Sequence, residues 1–416
     1  MNFSKLRAIA LVSAALALPA AGHAQDAKPG EFKIPGTNTM LKLNGFVELD
    51  AIYDFSGADE DIRGDDWATF LEFQPLDAGE RDKNRLYVTA RTSRVGLTTT
   101  TPTAHGNLVT RVEGDFNSPS AFNYSTEATT NGTNFRIRHA YGEYAGFLVG
   151  QTWANFMDLG SLPDTVDFNP HGAFALTRSP GVRYTANFGG PTLAVALENP
   201  QSIVINTEKA PGTLTVGREF DRYPDVSANL TVPFSLGHLN LRAVTFEYQG
   251  RTAAGVHDSR WAWGAGASGS VKLGGLDSLV WSVQGGDGIG RYMFTTLFQG
   301  AAFVGNDIEL WSAVAYHVGL THNWSPALRS NLIWTQTFIS KDDALAGTLE
   351  TLANKRIDAG FVNTFYSPVK GVEVGLEYAY GRRTVFDAGL IAAGEPTSNN
   401  EGTQHRVNAL ARYNFF

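Results

Sequence analysis

The sequence predicts an all-β protein: a transmembrane antiparallel β-barrel of about 16 strands, with short periplasmic turns at one rim and long extracellular loops at the other. Three observations predict it: an export signal at the N-terminus, apolar–polar alternation with a period of two, and connections that alternate between short and long. At the N-terminus, Lys5 and Arg7 precede an apolar run from Ala8 to Leu18, and Gly22-His23-Ala24 follows with small residues. A basic head, a short apolar middle and a small-residue exit make a secretory signal peptide over residues 1–24. The run is too short for a spanning helix, which needs about 20 apolar residues. A buried N-terminal helix fits poorly, because Gln25 to Gly36 is polar and rich in Gly and Pro. Residues 25–39 then form a short periplasmic segment, and residues 40–416 the barrel.

Composition agrees with this division. There is no cysteine, so disulfides and thiolate metal sites are excluded. Glycine (44) and aromatic residues (Phe 26, Tyr 14, Trp 8) are plentiful. No stretch of the mature chain approaches 18 consecutive apolar residues, so helical spanning is excluded. The formal charge is −8, and removing Lys5 and Arg7 makes it −10. With no basic cluster, nucleic acid is not an expected partner.

The mature chain reads in twos. In the first strand the odd positions are Leu41, Leu43, Gly45, Val47, Leu49, Ala51, Tyr53 and Phe55, against Lys42, Asn44, Glu48, Asp50 and Asp54. That strand outruns the usual soluble strand of about 5–6 residues. The pattern returns at 107–116, where Leu108, Val112 and Phe116 oppose Arg111, Glu113 and Asp115, and at 372–381, where Val374, Leu376 and Tyr378 oppose Glu373 and Glu377. Strand 2 (85–101) has no settled phase, because Arg91 and Arg94 fall on opposite faces. A soluble sandwich shares this alternation. The connections separate the two. Seven are turn-like: Pro102–Gly106, Ala145–Gly146, Phe188–Pro191, Pro233–Gly237, Gly274–Asp277, Asn323–Pro326 and Pro368–Gly371. Eight longer polar stretches lie between them, near 56–84, 117–134, 155–179, 199–224, 250–259, 285–308, 340–355 and 382–402. Outer-membrane barrels alternate in this way, and only a closed sheet satisfies its backbone in lipid. Aromatic residues such as Tyr53, Trp261, Trp334 and Tyr413 near strand ends fit interfacial girdles. The terminal Tyr413-Asn414-Phe415-Phe416 is similar to the ending read by barrel-assembly machinery, with the outward phase on Phe415.

Several motifs carry no chemistry in this context. Gly264-x-Gly266-x-x-Gly269 matches a dinucleotide fingerprint, but that mechanism needs a strand, a tight turn and a helix. Here the glycines lie in an alternating Trp-rich strand. Nine histidines show no metal-ligand spacing, so no cofactor or metal is expected. A hydrolytic barrel of lipase or protease type needs a nucleophile, a base and an acid converging at one rim, and nothing selects His139 or His171 for it. A plugged receptor barrel is the third reading, although no plug domain is visible before Met40. The acidic loop 56–84 and the sequons at Asn123, Asn131 and Asn229 read as solvated surface.

The informative constellation is the set of inward-phase charges. Arg111, Arg136, Arg138, Arg183 and Arg242 fall on polar faces, as do Glu48, Asp50, Glu113 and Asp115. A solid core would bury these at several kcal/mol each unless paired. A water-filled lumen removes that cost. The third loop, Ala154 to Leu176, carries Asp158, Asp164 and Asp167; folded into the lumen, it would face the arginine wall and narrow the pore. Opposed charges orient a polar solute and rings of arginine favour anions. Pairing of the same arginines with lumen carboxylates is the alternative for each of them.

Five segments resemble the DcaP-like outer-membrane porins: residues 34–54 (IPGTNTMLKLNGFVELDAIYD), 93–99 (SRVGLTT), 136–143 (RIRHAYGE), 149–158 (VGQTWANFMD) and 178–185 (RSPGVRYT). A weaker likeness continues through 288–292 to the C-terminus. The resemblance implies a 16-stranded barrel assembling as a homotrimer in outer-membrane lipid and passing small anionic, often dicarboxylic, solutes. It makes Arg136, Arg138, Arg178 and Arg183 the leading constriction candidates. Members often carry an N-terminal coiled coil, whereas Gln25 to Thr39 shows no heptads, so a trimer would be held by barrel-wall contacts.

Overall fold

The structure, a computed structural model, describes residues 30–56, 84–118, 133–166, 172–205, 214–216, 221–252, 255–296, 300–340, 354–386 and 400–415. The expected signal peptide, most of loop 56–84, Asn123, Asn131, Asp167 and His171 lie outside the described residues.

Sixteen strands run around one sheet. The first half comprises β1 (Met40–Ser56), β2 (Arg85–Thr89 and Arg94–Thr103), β3 (Gly106–Ser118), β4 (Asn134–Tyr144), β5 (Phe147–Trp153), β6 (Arg178–Asn187), β7 (Thr192–Glu198) and β8 (Asp225–Phe234). The second half comprises β9 (Gly237–Arg251), β10 (His257–Gly274), β11 (Asp277–Asp287), β12 (Ser312–Ser325), β13 (Leu328–Ser340), β14 (Asn354–Tyr366), β15 (Val372–Val385) and β16 (Glu401–Asn414). Each strand pairs antiparallel with the next, and β16 closes on β1 with Asn414 opposite Phe46. Closure leaves no edge, which is what a sheet in lipid requires. Glu31–Lys33 folds back on Met40–Lys42, so the segment before the barrel adds a short strand at the turn end.

All seven expected turns join neighbouring strands at that same end. The tightest, Ala145-Gly146, has both residues at positive φ (50° and 84°), the geometry of a two-residue hairpin whose twist matches its strands. The alternation is also observed. Val47, Leu49, Val112, Leu376 and Tyr378 face outward, while Glu48, Asp50, Glu113, Asp115 and Glu377 are buried inside.

Two details differ from the sequence reading. The connection expected near 250–259 is short, because β9 and β10 stay paired out to Arg251 opposite His257. Strand 2 has two phases. Thr89 pairs with Asp50 and Arg94 with Phe46, so four residues oppose three. This bulge puts Leu86 and Val88 outward before it and Val95 and Leu97 outward after it. One extra residue turns every later side chain over, and Arg94 lies on the inward phase.

The lumen is only partly a water-filled space. The third loop leaves β5 and runs along the inner wall, anchored strand by strand. Asn155 N–H donates to Glu198 on β7, Arg329 on β13 donates to Asp164 (2.6 Å), and Val166 N–H donates to Glu377 on β15 (3.0 Å). Phe156, Ala173 and Ala175 of this loop join Ile289, Tyr292 and Met293 of the segment after β11, and inward Val244, Phe246, Ala313 and Ile339, in one apolar core. A four-stranded sheet (Ile203–Ile205, Leu214–Val216, Ala301–Val304 and Asp307–Leu310) lies beside it. Apolar side chains on both the loops and the inner wall of β9–β13 drive this filling, at roughly 25 cal/mol per Å² removed from water.

Candidate functional site

The remaining inner wall, β2 to β6, carries the arginines. Strand register sets their heights. Arg94, Asp115 and Arg136 occupy one rung across β2, β3 and β4, and Arg178 pairs with Trp153 across β5 and β6. A register shift after Glu113 turns the consecutive residues Arg138 and His139 both inward. Bulges of this kind re-aim side chains, and here two of them fall within one patch.

The charges interlock. Arg136 grips Asp115 with two bonds of 2.9 Å, the fork geometry that suits a carboxylate. Arg138 bridges Glu113 (3.1 Å) and Asp115 (2.9 Å), and Arg111 donates to Glu113 at 2.5 Å. His139 Nδ1 lies 3.0 Å from the Thr152 hydroxyl. Exposure sorts their parts: the Arg138 side chain is 2% accessible, against 38% for Arg136 and 35% for Arg111. Arg138 is thus an internal tie, while Arg111 and Arg136 show guanidinium surface to the lumen.

Arg178 is different. Its guanidinium stacks on Trp153 at 3.9 Å, its Nε is buried without a partner, and it makes no ion pair with any described residue. It lies in the field of Arg94, Arg136 and Arg138, with Asp115 opposing them. Arg183 lies lower on the same strand, between Leu148 and Ala196, and likewise forms no ion pair with the described residues. The five guanidinium groups at 94, 111, 136, 138 and 178 stand around Glu113 and Asp115, a surplus of three positive charges (five minus two); the third carboxylate acting on Arg94, Glu48 of β1, is taken up by Arg412. Arg183 extends it toward the periplasmic end.

Three expected residues stand elsewhere. Arg242 on β9 is buried beneath the third loop, bonded to Ser268, Ser282, Gln284 and the Ala173 carbonyl, and packed on Phe156. It clamps the loop where the lumen is filled. Asp158 and Asp164 of the loop do not face the arginine wall. Asp158 accepts from His238 Nε2 (2.8 Å), Ser268 (2.7 Å) and Gly160 N–H (3.0 Å), and Asp164 pairs with Arg329. The reason is length and direction. The loop leaves β5 and travels away from the arginine wall, so Asp158 and Asp164 meet donors on β9, β10 and β13.

Ser270, His238 and Asp158 form a hydroxyl–imidazole–carboxylate chain, with Ser270 Oγ 2.8 Å from His238 Nδ1. Ser270 sits within the β9–β10 ladder, directly opposite His238, and both Asp158 oxygens also hold other donors. The chain fixes the loop against the wall. Among the described residues, no group of three or more His, Cys, Asp or Glu gathers to hold a metal ion.

A closed 16-strand barrel, an inward third loop and an arginine-lined wall together define a porin-type site. The sequence profile of the DcaP outer membrane protein family matches residues 14–415. The chain belongs to the DcaP outer membrane protein family. This DcaP-family chain is similar to the crystal structure of the outer membrane channel DcaP of Acinetobacter baumannii, with 27% identity, a TM-score of 0.74, and 92% of this chain and 99% of that one covered. OmpT of Vibrio cholerae in its trimer form (10% identity, TM-score 0.56, 91% and 99% covered) shares the fold. So does the anion-selective porin from Comamonas acidovorans (12% identity, TM-score 0.52, 91% and 100% covered). No curated protein gives a significant match. The DcaP-family barrel is therefore a multi-pass outer-membrane protein of the porin type.

Proposed function

We propose that this barrel is a passive channel for small hydrophilic solutes, biased to anions such as dicarboxylates by the arginine wall of β2–β6, and that it works as a homotrimer. The observation that carries the reading is the charge surplus of that wall. Five guanidinium groups stand against two carboxylates, and Arg111, Arg136 and Arg178 are not all consumed by pairing. Electrostatic free energy follows the local field at the passage, so the net negative charge of the whole chain does not oppose it. Two carboxylates on one solute can engage two guanidinium groups on neighbouring rungs, with forked hydrogen bonds to each. The trimer is supported by the trimer form of the Vibrio cholerae fold relative.

The test is ion current through the purified protein in a planar bilayer under a salt gradient, with succinate or phthalate then added. A reversal potential on the anion side, with concentration-dependent block by the dicarboxylate, is the expected result. Conductance without anion preference would retain the channel and remove the arginine argument. No conductance would remove the channel.

A further inference from the structure

The outer wall of β12–β16 changes character over three rungs that the strand register places one above another. The lowest of the three carries Leu320, Leu332 and Val362, all exposed and apolar as lipid contact requires. The next rung toward the loops carries the aromatic residues Trp334 and Tyr380. Above it, one unbroken row reads Tyr316, Gln336, Asp358, Arg382 and Thr403 across five strands, all on the outward phase. Arg356 and Glu401 stand on the rung beyond, opposite Thr384, while on β12 and β13 that rung is apolar again, with Val314 and Phe338 exposed and Arg356 lying over the Phe338 ring.

On β14–β16 the wall passes from Val362 and Tyr378 through Tyr380 to polar rows that stay polar, which marks the boundary between hydrocarbon and headgroups there. Because the short turns lie at the other end, this boundary belongs to the outer leaflet. The charges in it are unevenly displayed. Asp358 receives Gln336 Nε2 at 2.7 Å and Arg356 Nε at 2.8 Å, and its side chain is only 6% accessible. The side chains of Arg356 and Arg382 are 44% and 42% accessible, and Glu401, paired with Arg382, is 39% accessible, so two displayed guanidinium groups stand against one displayed carboxylate. The register makes Arg356 and Arg382 diagonal neighbours on β14 and β15, within reach of one another's ligands.

We infer that this row is a docking site for the phosphorylated headgroup of an outer-leaflet lipid, held between the guanidinium groups of Arg356 and Arg382. Guanidinium forks match phosphate oxygens, and Asp358 steadies Arg356 from beneath without showing its own charge to the lipid. The acyl chains then lie on the Leu332–Val362 surface below. The site is outside the lumen and does not depend on the channel's selectivity.

The experiment uses native mass spectrometry of the purified protein, titrated with lipid A carrying two phosphates and with the same lipid dephosphorylated. The wild type is expected to retain the phosphorylated form on the order of tenfold better, given the attraction of each basic residue to an anionic surface. Arg356→Ala with Arg382→Ala should abolish that preference while planar-bilayer conductance and ion selectivity stay unchanged, which also reports a folded barrel. Thr384→Glu, which removes no existing pair, should weaken retention of the phosphorylated lipid through repulsion. Equal retention of both lipids by the wild type, or undiminished preference in either variant, would overturn the inference. So would an efficient disulfide between two copies carrying Arg382→Cys, since a second copy would then cover the row.

Discussion

Replacing Arg178 with alanine removes one positive charge from the arginine wall without stranding a carboxylate, because Arg178 stacks on Trp153 and ion-pairs with no described residue. The wall's surplus falls from three charges to two. A unit charge about 7 Å from a passing ion in water contributes about 0.6 kcal/mol, close to RT. At about 0.1 M salt, the Debye length of about 10 Å halves this, to about 0.3 kcal/mol. Anion occupancy then drops by a factor of about 1.6 and cation occupancy rises by about the same, so the anion-to-cation permeability ratio falls about threefold. Adding Arg183→Ala should square that factor, to about sevenfold. The assay is the reversal potential under a salt gradient at two ionic strengths, where lower salt must enlarge the shift. A reversal potential that does not move in Arg178→Ala, in a barrel with normal conductance, would refute the assignment of this wall as the selectivity element.

Arg136→Ala with Arg138→Ala should shift selectivity toward cations and also destabilise the barrel. Breaking a buried tie to Glu113 and Asp115 costs roughly 3–5 kcal/mol; heat-modifiable electrophoretic mobility reads the stability loss. Arg242→Met leaves the arginine wall intact but removes the donors to Ser268, Ser282, Gln284 and Ala173 O. It should release the third loop, costing about 2–4 kcal/mol and adding current fluctuations in single-channel recordings with selectivity unchanged. Acid should loosen the same loop at Asp158. Burial pushes this carboxyl up, but the bonds from Ser268, His238 and Gly160 N–H outweigh it and hold it below the usual aspartate range. A lowered carboxyl stabilises the fold above its ordinary value and loses that contribution as pH falls through the lowered one. Current noise should therefore rise on acidification below the normal aspartate range, and Asp158→Asn should show that noise already at neutral pH.

The alternation of Val47, Leu49 and Phe55 against Glu48, Asp50 and Asp54 specified a membrane strand, because lipid and lumen demand opposite side chains at adjacent positions. The turn residues at 102–106, 145–146 and 368–371 then counted the strands. Those are local rules, and sequence expresses them directly. The inward phase of Arg111, Arg136 and Arg138 was legible for the same reason, with Glu113 and Asp115 two residues apart on one strand. The phase of strand 2 was not, since a single extra residue at 90–93 is invisible until β1 is laid beside it. One signal of the filled lumen was present: on upper β9 the inward positions are Val244, Phe246 and Tyr248 while Thr245 and Glu247 lie on the opposite phase, the reverse of a water-lined wall. Where the third loop goes is a long-range matter. Asp158 meeting His238 and Asp164 meeting Arg329 depend on contacts 80 and 165 residues apart. The sequence by itself determined the barrel, its direction in the membrane and the arginines that face inward, because each follows from period and punctuation. Only the tertiary structure decided which arginines are spent on carboxylates, which clamp a loop and which remain with unneutralised charge, because pairing is settled by register across strands and by the path of a loop through space.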